Sequence, residues 1–338
     1  MAERRITIED IAQKANVSIS TVSRVLRKSS GVTAPKREAV LQAVADLDYR
    51  PNVFAQSLAS GQSMTIGVIT QNFGSPFYDG ILAGILQGLE NSDYSALFAD
   101  GRWDRAIERR ALETFTDRRV DGLIFVGGQL SEAFLAEVGQ KIPTVVVARE
   151  LVSINSNCIF ADNFKAAYEL TNYLIEAGHR NIAHITAKMH YQEAVTDVEQ
   201  RLRGYKQALV DAGLSPNPRL IVEGNLQEQS GALAIEMLLM EKQTFSAIFA
   251  ANDAMALGAR LGLYRRGFRV PDDVSLVGFD DEVAAAFMVP PLTTVRQPAI
   301  AMGKATATAV LDLINGKTVT NKIFESQLIV RESVARIR

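Results

Sequence analysis

Between Thr65 and Gly278 the chain alternates short unbroken apolar runs with amphipathic stretches, and this alternation constrains the fold more than any other feature. The runs Thr65–Thr70, Ala96–Ala99, Gly122–Val126 and Thr144–Val147 have the length of strands buried on both faces of a parallel sheet. Helical patterns separate them, as over Asp79–Glu90 and Ala106–Thr116. After Asp162 the rhythm restarts. It runs through a helix at Phe164–Ala177, a strand at Ile182–Ile185, a helix at Leu202–Ala212 and a strand at Ala247–Ala250. A helix at Ala254–Arg266 and a strand at Ser275–Gly278 complete it. Two doubly wound α/β units in succession are expected. With 338 residues, 47% of them hydrophobic, the chain is long enough to bury both cores and a smaller domain besides.

Ligands of open parallel sheets sit beyond the carboxyl ends of the strands, so the residues that follow each run are candidates for a site. In the first unit these are Gln71-Asn72-Phe73, Asp100-Gly101-Arg102-Trp103, Gly127-Gly128 and Ala148-Arg149. In the second they are Ala251-Asn252-Asp253 and Phe279-Asp280-Asp281. Carboxylates, amides and guanidiniums pair with vicinal hydroxyls, and aromatic faces cover the apolar faces of a pyranose. The mixture suits a sugar. Asn252, Asp253 and Asp280 are each equally compatible with capping the helix that follows.

The first sixty residues follow a different pattern. Thr7 can cap a helix with an apolar stripe at Ile8, Ile11, Ala12 and Ala15, and Asp10 adds to an acidic first turn. After a short turn at Asn16-Val17, Ser18 caps a second helix whose apolar positions are Ile19, Val22, Val25 and Leu26. Ser20, Thr21, Ser23 and Arg24 stand between them. Thr33, with Pro35 close behind, opens a third helix. Two short helices across a tight turn, the second rich in hydroxyls, describe a helix-turn-helix that binds phosphates and base edges. A plain three-helix bundle with solvated Ser and Thr fits the same pattern. Charge leans towards the first reading: residues 1–60 hold nine Lys/Arg against six Asp/Glu, and the remainder 27 against 32.

The pieces VS-x-x-TVSRVL at Val17–Leu26, YRPN at Tyr49–Asn52 and A-x-SL at Ala55–Leu58 resemble the LacI/GalR (lactose-repressor/galactose-repressor) family, and the resemblance extends over essentially the whole chain. It implies a three-helix head at 1–50, a hinge helix and linker at 51–62, and a ligand-binding and dimerisation domain at 63–338. That domain resembles two lobes of the periplasmic-binding-protein type, lobe 1 at about 63–161 and 294–323, lobe 2 at about 162–293 and 324–338. Residues matching Ile19, Ser20 and Arg24 would read the major groove, with Thr7, Ser18, Thr21 and Ser23 around them. In the hinge, Asn52, Ala55, Leu58 and Ala59 would enter the minor groove, with Leu58 as a wedge between base steps. Arg27 departs from the family's usual asparagine.

In the body, AANDAMALGA at Ala250–Ala259, VGFDD at Val277–Asp281 and RLRGY at Arg201–Tyr205 resemble family elements that assign Asn252, Asp280 and Arg201 to the effector. SPFYDGI at Ser75–Ile81 assigns Phe77 as a stacking ring. Asn72 and Trp103 complete the expected set, with Tyr78 and Trp103 the weaker members, read as wall or core ahead of stacking groups. Two departures affect ligand identity: the stretch Ala187–Gln200, which carries Lys188, His190 and Tyr191, replaces a shorter loop, and Leu226 stands where the family often has an aromatic ring.

Enzyme chemistry finds little support. The three histidines lack metal-ligand spacing, the single cysteine, Cys158, allows no intramolecular disulfide or CxxC site, and Gly316-Lys317-Thr318 lacks the upstream glycine of a phosphate loop. No cofactor is expected. The charged start, Met1 to Arg5, shows no secretory signal, and no apolar run is long enough to cross a membrane, so a cytoplasmic address is expected. Only five residues follow Arg331-Glu332-Ser333, too few for a leucine-heptad helix, which makes a homodimer the expected assembly. The expected partners are a near-palindromic double-stranded operator and a mono- or disaccharide effector, the direction of whose effect the residues leave open.

Overall fold

The computed structural model describes residues 6–26, 31–49, 61–71, 73–151, 157–187 and 196–337. Asn52, Ala55, Leu58, Ala59 and Asn72 lie outside the described residues, as do Arg27, Lys28, Lys188, His190 and Tyr191. The chain divides into two compact units, Met1–Ser63 and Met64–Arg338.

Unit one holds three helices, Ile8–Lys14, Ile19–Leu26 and Ala34–Asp46. A reciprocal capping box starts the first: Thr7 Oγ1 accepts from Asp10 N at 3.4 Å and Asp10 Oδ2 from Thr7 N at 2.8 Å. It ends at Asn16, whose φ of +48° allows Val17 N to reach Ala12 O at 3.0 Å and Asn16 N to reach Gln13 O at 3.2 Å. This Schellman closure aims the chain into the second helix. Ser18 Oγ caps that helix through Thr21 N at 3.3 Å. Thr33 precedes the third, but its side chain makes no capping bond there. Ile11, Ala12, Val22, Val25, Val40 and Ala43 close the core. Each fully buried aliphatic side chain contributes about 1.5–3 kcal/mol. With so few of them, this unit has little stability to spare.

Unit two contains two parallel sheets. Strands β1 (Thr65–Thr70), β2 (Ser95–Asp100), β3 (Gly122–Val126), β4 (Thr144–Val147), β5 (Cys158–Ala161) and β11 (Lys322–Phe324) form the first, in the order β11-β5-β4-β3-β1-β2. The second has β6 (Ile182–Ala187), β7 (Ile221–Gly224), β8 (Ala247–Ala250) and β9 (Ser275–Val277), in the order β7-β6-β8-β9. An antiparallel pair, β10 (Thr294–Arg296) with β12 (Gln327–Ile329), lies where the chain passes between the lobes, and Asp280 forms an isolated bridge to Arg296. Strands β1, β3 and β4 have the bounds expected from the sequence, and β8 does too.

Helices cover both faces of each sheet, as doubly wound folds require. The helix Ala299–Ile314 returns to the first lobe and packs on Pro76–Leu89. That crossing is close: a Cβ on Gly84 would collide with the Ile300 carbonyl, and one on Gly303 with the Ile81 carbonyl. One correction affects the site. The helix expected at Leu202–Ala212 starts earlier and spans Asp197–Asp211, because Thr196 Oγ1 caps it through Glu199 N at 3.1 Å. Arg201 therefore sits one turn inside a helix rather than ahead of one.

Candidate functional site

In the head, the helix Ile19–Leu26 turns Val22 and Val25 inward and leaves Ile19, Ser20 and Arg24 exposed. Ile19 shows 48% of its surface, an unusual position for an isoleucine unless it meets another apolar surface. Ser18 Oγ lies 2.9 Å from both Ser20 Oγ and Thr21 Oγ1, which gathers three hydroxyls at the start of the helix. Thr21 and Ser23 are half-buried, and Thr7 is exposed with its side chain held by the capping box. One face of the helix thus presents hydroxyls at its N-terminus and a guanidinium further along. Helix N-terminal amides and hydroxyls hold phosphates, and a guanidinium reaches guanine edges.

In unit two the carboxyl ends of both sheets border one cleft of about 530 Å³. Phe77, Tyr78, Trp103, Gly127, Gly128 and Arg149 line its first-lobe side, while Asp197, Arg201, Leu226, Glu228, Asn252, Asp280 and Glu282 line the other. The five effector candidates that are described, Phe77, Trp103, Arg201, Asn252 and Asp280, all face this cavity.

Arg201 is buried and held by three partners. Its Nε donates to Asn163 Oδ1 at 2.9 Å, one terminal nitrogen to the Ala251 carbonyl, and the other to Asp280 Oδ1 at 3.3 Å. Its guanidinium carbon stacks 3.8 Å from the Phe279 ring centroid. Gln297 Nε2 also donates to Asp280 Oδ1, at 2.7 Å, and Oδ2 takes no donor among the described residues. An oxygen so placed, on a residue with φ of +104°, can accept from a ligand hydroxyl. Asn252 does serve as a cap, with Oδ1 accepting from Met255 N at 2.9 Å and Nδ2 donating to Leu226 O at 3.0 Å. Asp253 and Asp281 have structural partners. Asp253 accepts from Thr294 Oγ1 at 2.7 Å and Glu282 N at 2.8 Å, and Asp281 pairs with Arg296 and Arg331, both at 2.7 Å.

The first-lobe wall is built around Trp103, the only tryptophan. Its ring lies 5.8 Å from Tyr78, edge to face, and Tyr78 in turn meets Phe77 at 5.3 Å. Phe77 is mostly core, with 9% exposure, so Tyr78 and Trp103 offer the larger share of the aromatic surface. The Trp103 backbone, at φ of +53°, is fixed from both sides: Gln71 Oε1 accepts from Trp103 N at 2.7 Å, and Gln129 Nε2 donates to the Trp103 carbonyl. Beneath it the fully buried Glu108 accepts from the backbone of Gln129 and Leu130, and burial pushes its carboxyl pKa up. Gly128, at φ of +101°, passes so near Glu108 that a Cβ would come 3.1 Å from its carboxylate.

Sequence reasoning did not single out Asp197, Glu228 or Glu282, and it left Arg149 outside the effector set. Burial raises Asp197 to about 7, opposed by Arg201 and reinforced by Asp280 and Glu150. Glu282 is also raised to about 7, by burial and then by Asp280 and Glu228. A signal for Asp197 was present in Thr196-x-x-Glu199, a capping pattern just ahead of Arg201. The two described histidines do not line the cleft. His184 is stacked on Tyr205 at 4.8 Å and burial lowers it to about 3, while His179 bridges Ser246 and the Ala335 carbonyl. Among the described residues there is no group of His, Cys, Asp and Glu arranged to hold a metal, and no helix long and apolar enough to cross a membrane.

Comparison with known proteins places this architecture. Residues 7–52 match the bacterial regulatory proteins of the lacI family, and residues 171–334 match the periplasmic binding protein-like domain. The chain is 32% identical over 334 residues to the ribose operon repressor of Haemophilus influenzae, covering 98% of this chain and 99% of that one. The chain belongs to the LacI family. It is a DNA-binding transcription regulator and not an enzyme. Catabolite control protein A of Priestia megaterium is 33% identical over 321 residues, covering 95% of this chain and 96% of the relative. Among solved structures, the lac repressor dimer bound to operator and the anti-inducer ONPF superposes with a TM-score of 0.89 at 29% identity, over 98% of this chain and 100% of that one. The regulator CelR in complex with cellobiose gives 0.73 at 33% identity, over 97% and 100%.

Proposed function

We propose that this LacI-family regulator is a repressor whose grip on a near-palindromic operator is relaxed when a mono- or disaccharide fills the cleft of unit two. The observation that carries the reading is the facing of two unlike walls. On one side Arg201 holds Asp280, whose Oδ2 takes no donor among the described residues, and on the other Tyr78 and Trp103 present aromatic faces. A pyranose has both kinds of surface, hydroxyl edges and apolar faces. The cellobiose in the CelR structure and the name of the ribose operon repressor support the same class.

Arg201, Asp280, Asn252, Phe77, Trp103 and Asn72 form the proposed effector set, with Tyr78 added. For DNA, Ile19, Ser20 and Arg24 would read the major groove, and Thr7, Ser18, Thr21 and Ser23 would steady the backbone. Asn52, Ala55, Leu58 and Ala59 in the 51–62 segment would enter the minor groove. Segments of that length are too short to be stable helices alone, so they would fold against a second copy on DNA. The working unit would be a cytoplasmic homodimer, with head 1–50, hinge 51–62 and ligand-binding body 63–338. Closure of the lobes around a sugar would shift the body between two states with different operator affinity.

A thermal-shift screen over mono- and disaccharides and nucleosides tests the ligand class, because a ligand of the native state raises the melting temperature. The reading expects at least one saccharide to stabilise the parent and to lose that effect in Asp280→Ala. Stabilisation by nucleosides alone would replace the sugar reading with a nucleobase one.

A further inference from the structure

The helix N-termini around the cleft already carry acidic side chains. In a doubly wound lobe these N-termini, at the carboxyl edge of the sheet, are natural sites for anions. Here Asp197 and Glu228 are the first residues of the helices Asp197–Asp211 and Glu228–Met240, and Glu282 lines the same cleft. On the opposite wall the helix Pro76–Leu89 begins with a proline, which has no N–H to offer, and carries Asp79 in its first turn. Thr196 and Asn252 occupy further first-turn amides through Glu199 N at 3.1 Å and Met255 N at 2.9 Å.

The cations of the cleft are engaged as well. No lysine lines it. Arg149 donates to the carbonyls of Gly128 at 3.2 Å and Leu130 at 2.7 Å. Arg201 is held by Asn163, the Ala251 carbonyl and Asp280. Against these two guanidiniums the lining sets four carboxylates, those of Asp197, Glu228, Asp280 and Glu282.

We infer that this cleft takes a saccharide bearing no phosphate or carboxylate, because along its described lining carboxylates outnumber guanidiniums and two of them stand at the helix starts where an anion would otherwise sit. The inference rests on the saccharide reading above and narrows it: sugar phosphates and uronates are excluded, and an amino substituent is tolerated. An anion entering the cleft would meet, among the described residues, four acidic side chains and two guanidiniums already hydrogen-bonded to the protein. Near 4–6 Å in a partly desolvated site, like-charge repulsion of this kind is enough to weaken binding by about tenfold or more.

Trp103 gives a readout confined to the cleft, since it is the only tryptophan in the chain. Its emission separates an anion in the cleft from one bound at the basic head. The experiment titrates the full-length protein at pH 8 with inorganic phosphate, glucose and glucose 6-phosphate, against potassium chloride at matched ionic strength. The same titrations are run on Asp197→Asn/Glu282→Gln, whose isosteric amides keep the packing and whose fold is checked by its melting curve. The parent is expected to show no Trp103 response to phosphate or glucose 6-phosphate beyond that to chloride, and the double variant is expected to gain one. Two results would overturn the inference: a parent response to glucose 6-phosphate at concentrations no higher than for glucose, or a double variant as indifferent to phosphate as the parent. Failure of every neutral sugar in the thermal-shift screen would remove the saccharide reading, yet the phosphate comparison between parent and variant would still decide the exclusion of anions.

Discussion

Arg201 and Asp280 meet at 3.3 Å on the cleft floor, with 5% and 9% of their side chains exposed. A buried ion pair adds little net stability compared with apolar neighbours, but removing one partner leaves the other charge buried and unmatched. Arg201→Ala is therefore expected to cost roughly 3–5 kcal/mol of unfolding free energy, together with the ligand response. The paired change Arg201→Met/Asp280→Leu should recover most of that stability and none of the response. Denaturant melts of the single and double variants check this. Equal stability of Arg201→Ala and parent would show that the pair is solvated in solution.

The head offers a separate test. Arg24 is exposed on the helix that also bears Ile19 and Ser20. Arg24→Ala should weaken operator binding by roughly 1–3 kcal/mol if it reads a base, relaxing specificity at one position of each half-site. Uniform weakening across sequences, with a salt slope reduced by about one, would assign it to phosphate instead. Unchanged affinity at matched salt would take Arg24 off the recognition surface.

Asp197 predicts a pH dependence. Its folded pKa, about 7, lies above the ordinary carboxylate value of 3.8, so between these values the folded protein holds a proton that the unfolded chain has released. Stability from this group is present at low pH and is lost as the pH rises towards 7. Burial causes the shift; Arg201 and Arg149 oppose it, and Asp280 and Glu150 add to it. Asp197→Asn removes the titration, so its melting temperature should exceed the parent's by more at pH 8 than at pH 5. An equal offset at both values would indicate that Asp197 is not raised.

Much of this arrangement was legible in the sequence, and the exceptions have physical causes. Strands β1, β3, β4 and β8 stand out because both faces are buried and the apolar run is unbroken. Strands β5, β7, β10, β11 and β12 were missed as strands. Lys322–Phe324 at the sheet edge leaves Ile323 60% exposed, so its residues carry no buried-strand pattern. Arg201, Asn252 and Asp280 were readable from motifs. Asp197 and Glu282 were not, because an acidic residue at a helix start is also what the helix dipole favours, and only the closure of two lobes gives it a second surroundings. Phe77, read as a stacking ring, lines the cavity but is largely buried, and Tyr78 and Trp103 beside it offer more of the aromatic surface.

Assembly can be tested by light scattering. Leu233, Met237, Leu257, Leu261 and Tyr264 are exposed along the adjoining helices Glu228–Met240 and Asp253–Arg265, with Tyr264 showing 76% of its surface. An apolar face of this kind is costly in water. The protein is expected to run near twice its 36.9 kDa chain mass, and Leu261→Glu is expected to shift it towards that of a single chain. A parent that is monomeric at micromolar concentration would contradict the dimer.

The central claim is that cleft occupancy sets operator affinity. Fluorescence anisotropy tests it most directly, using a labelled duplex selected by the protein from random sequence and the sugar that gives the largest thermal shift. The account predicts that saturating sugar weakens the parent's operator binding by about tenfold or more, a coupling of at least ~1.4 kcal/mol, and leaves Asp280→Ala unmoved. A sugar that binds the cleft, shown by the Trp103 emission, while the operator isotherm stays unchanged would contradict it.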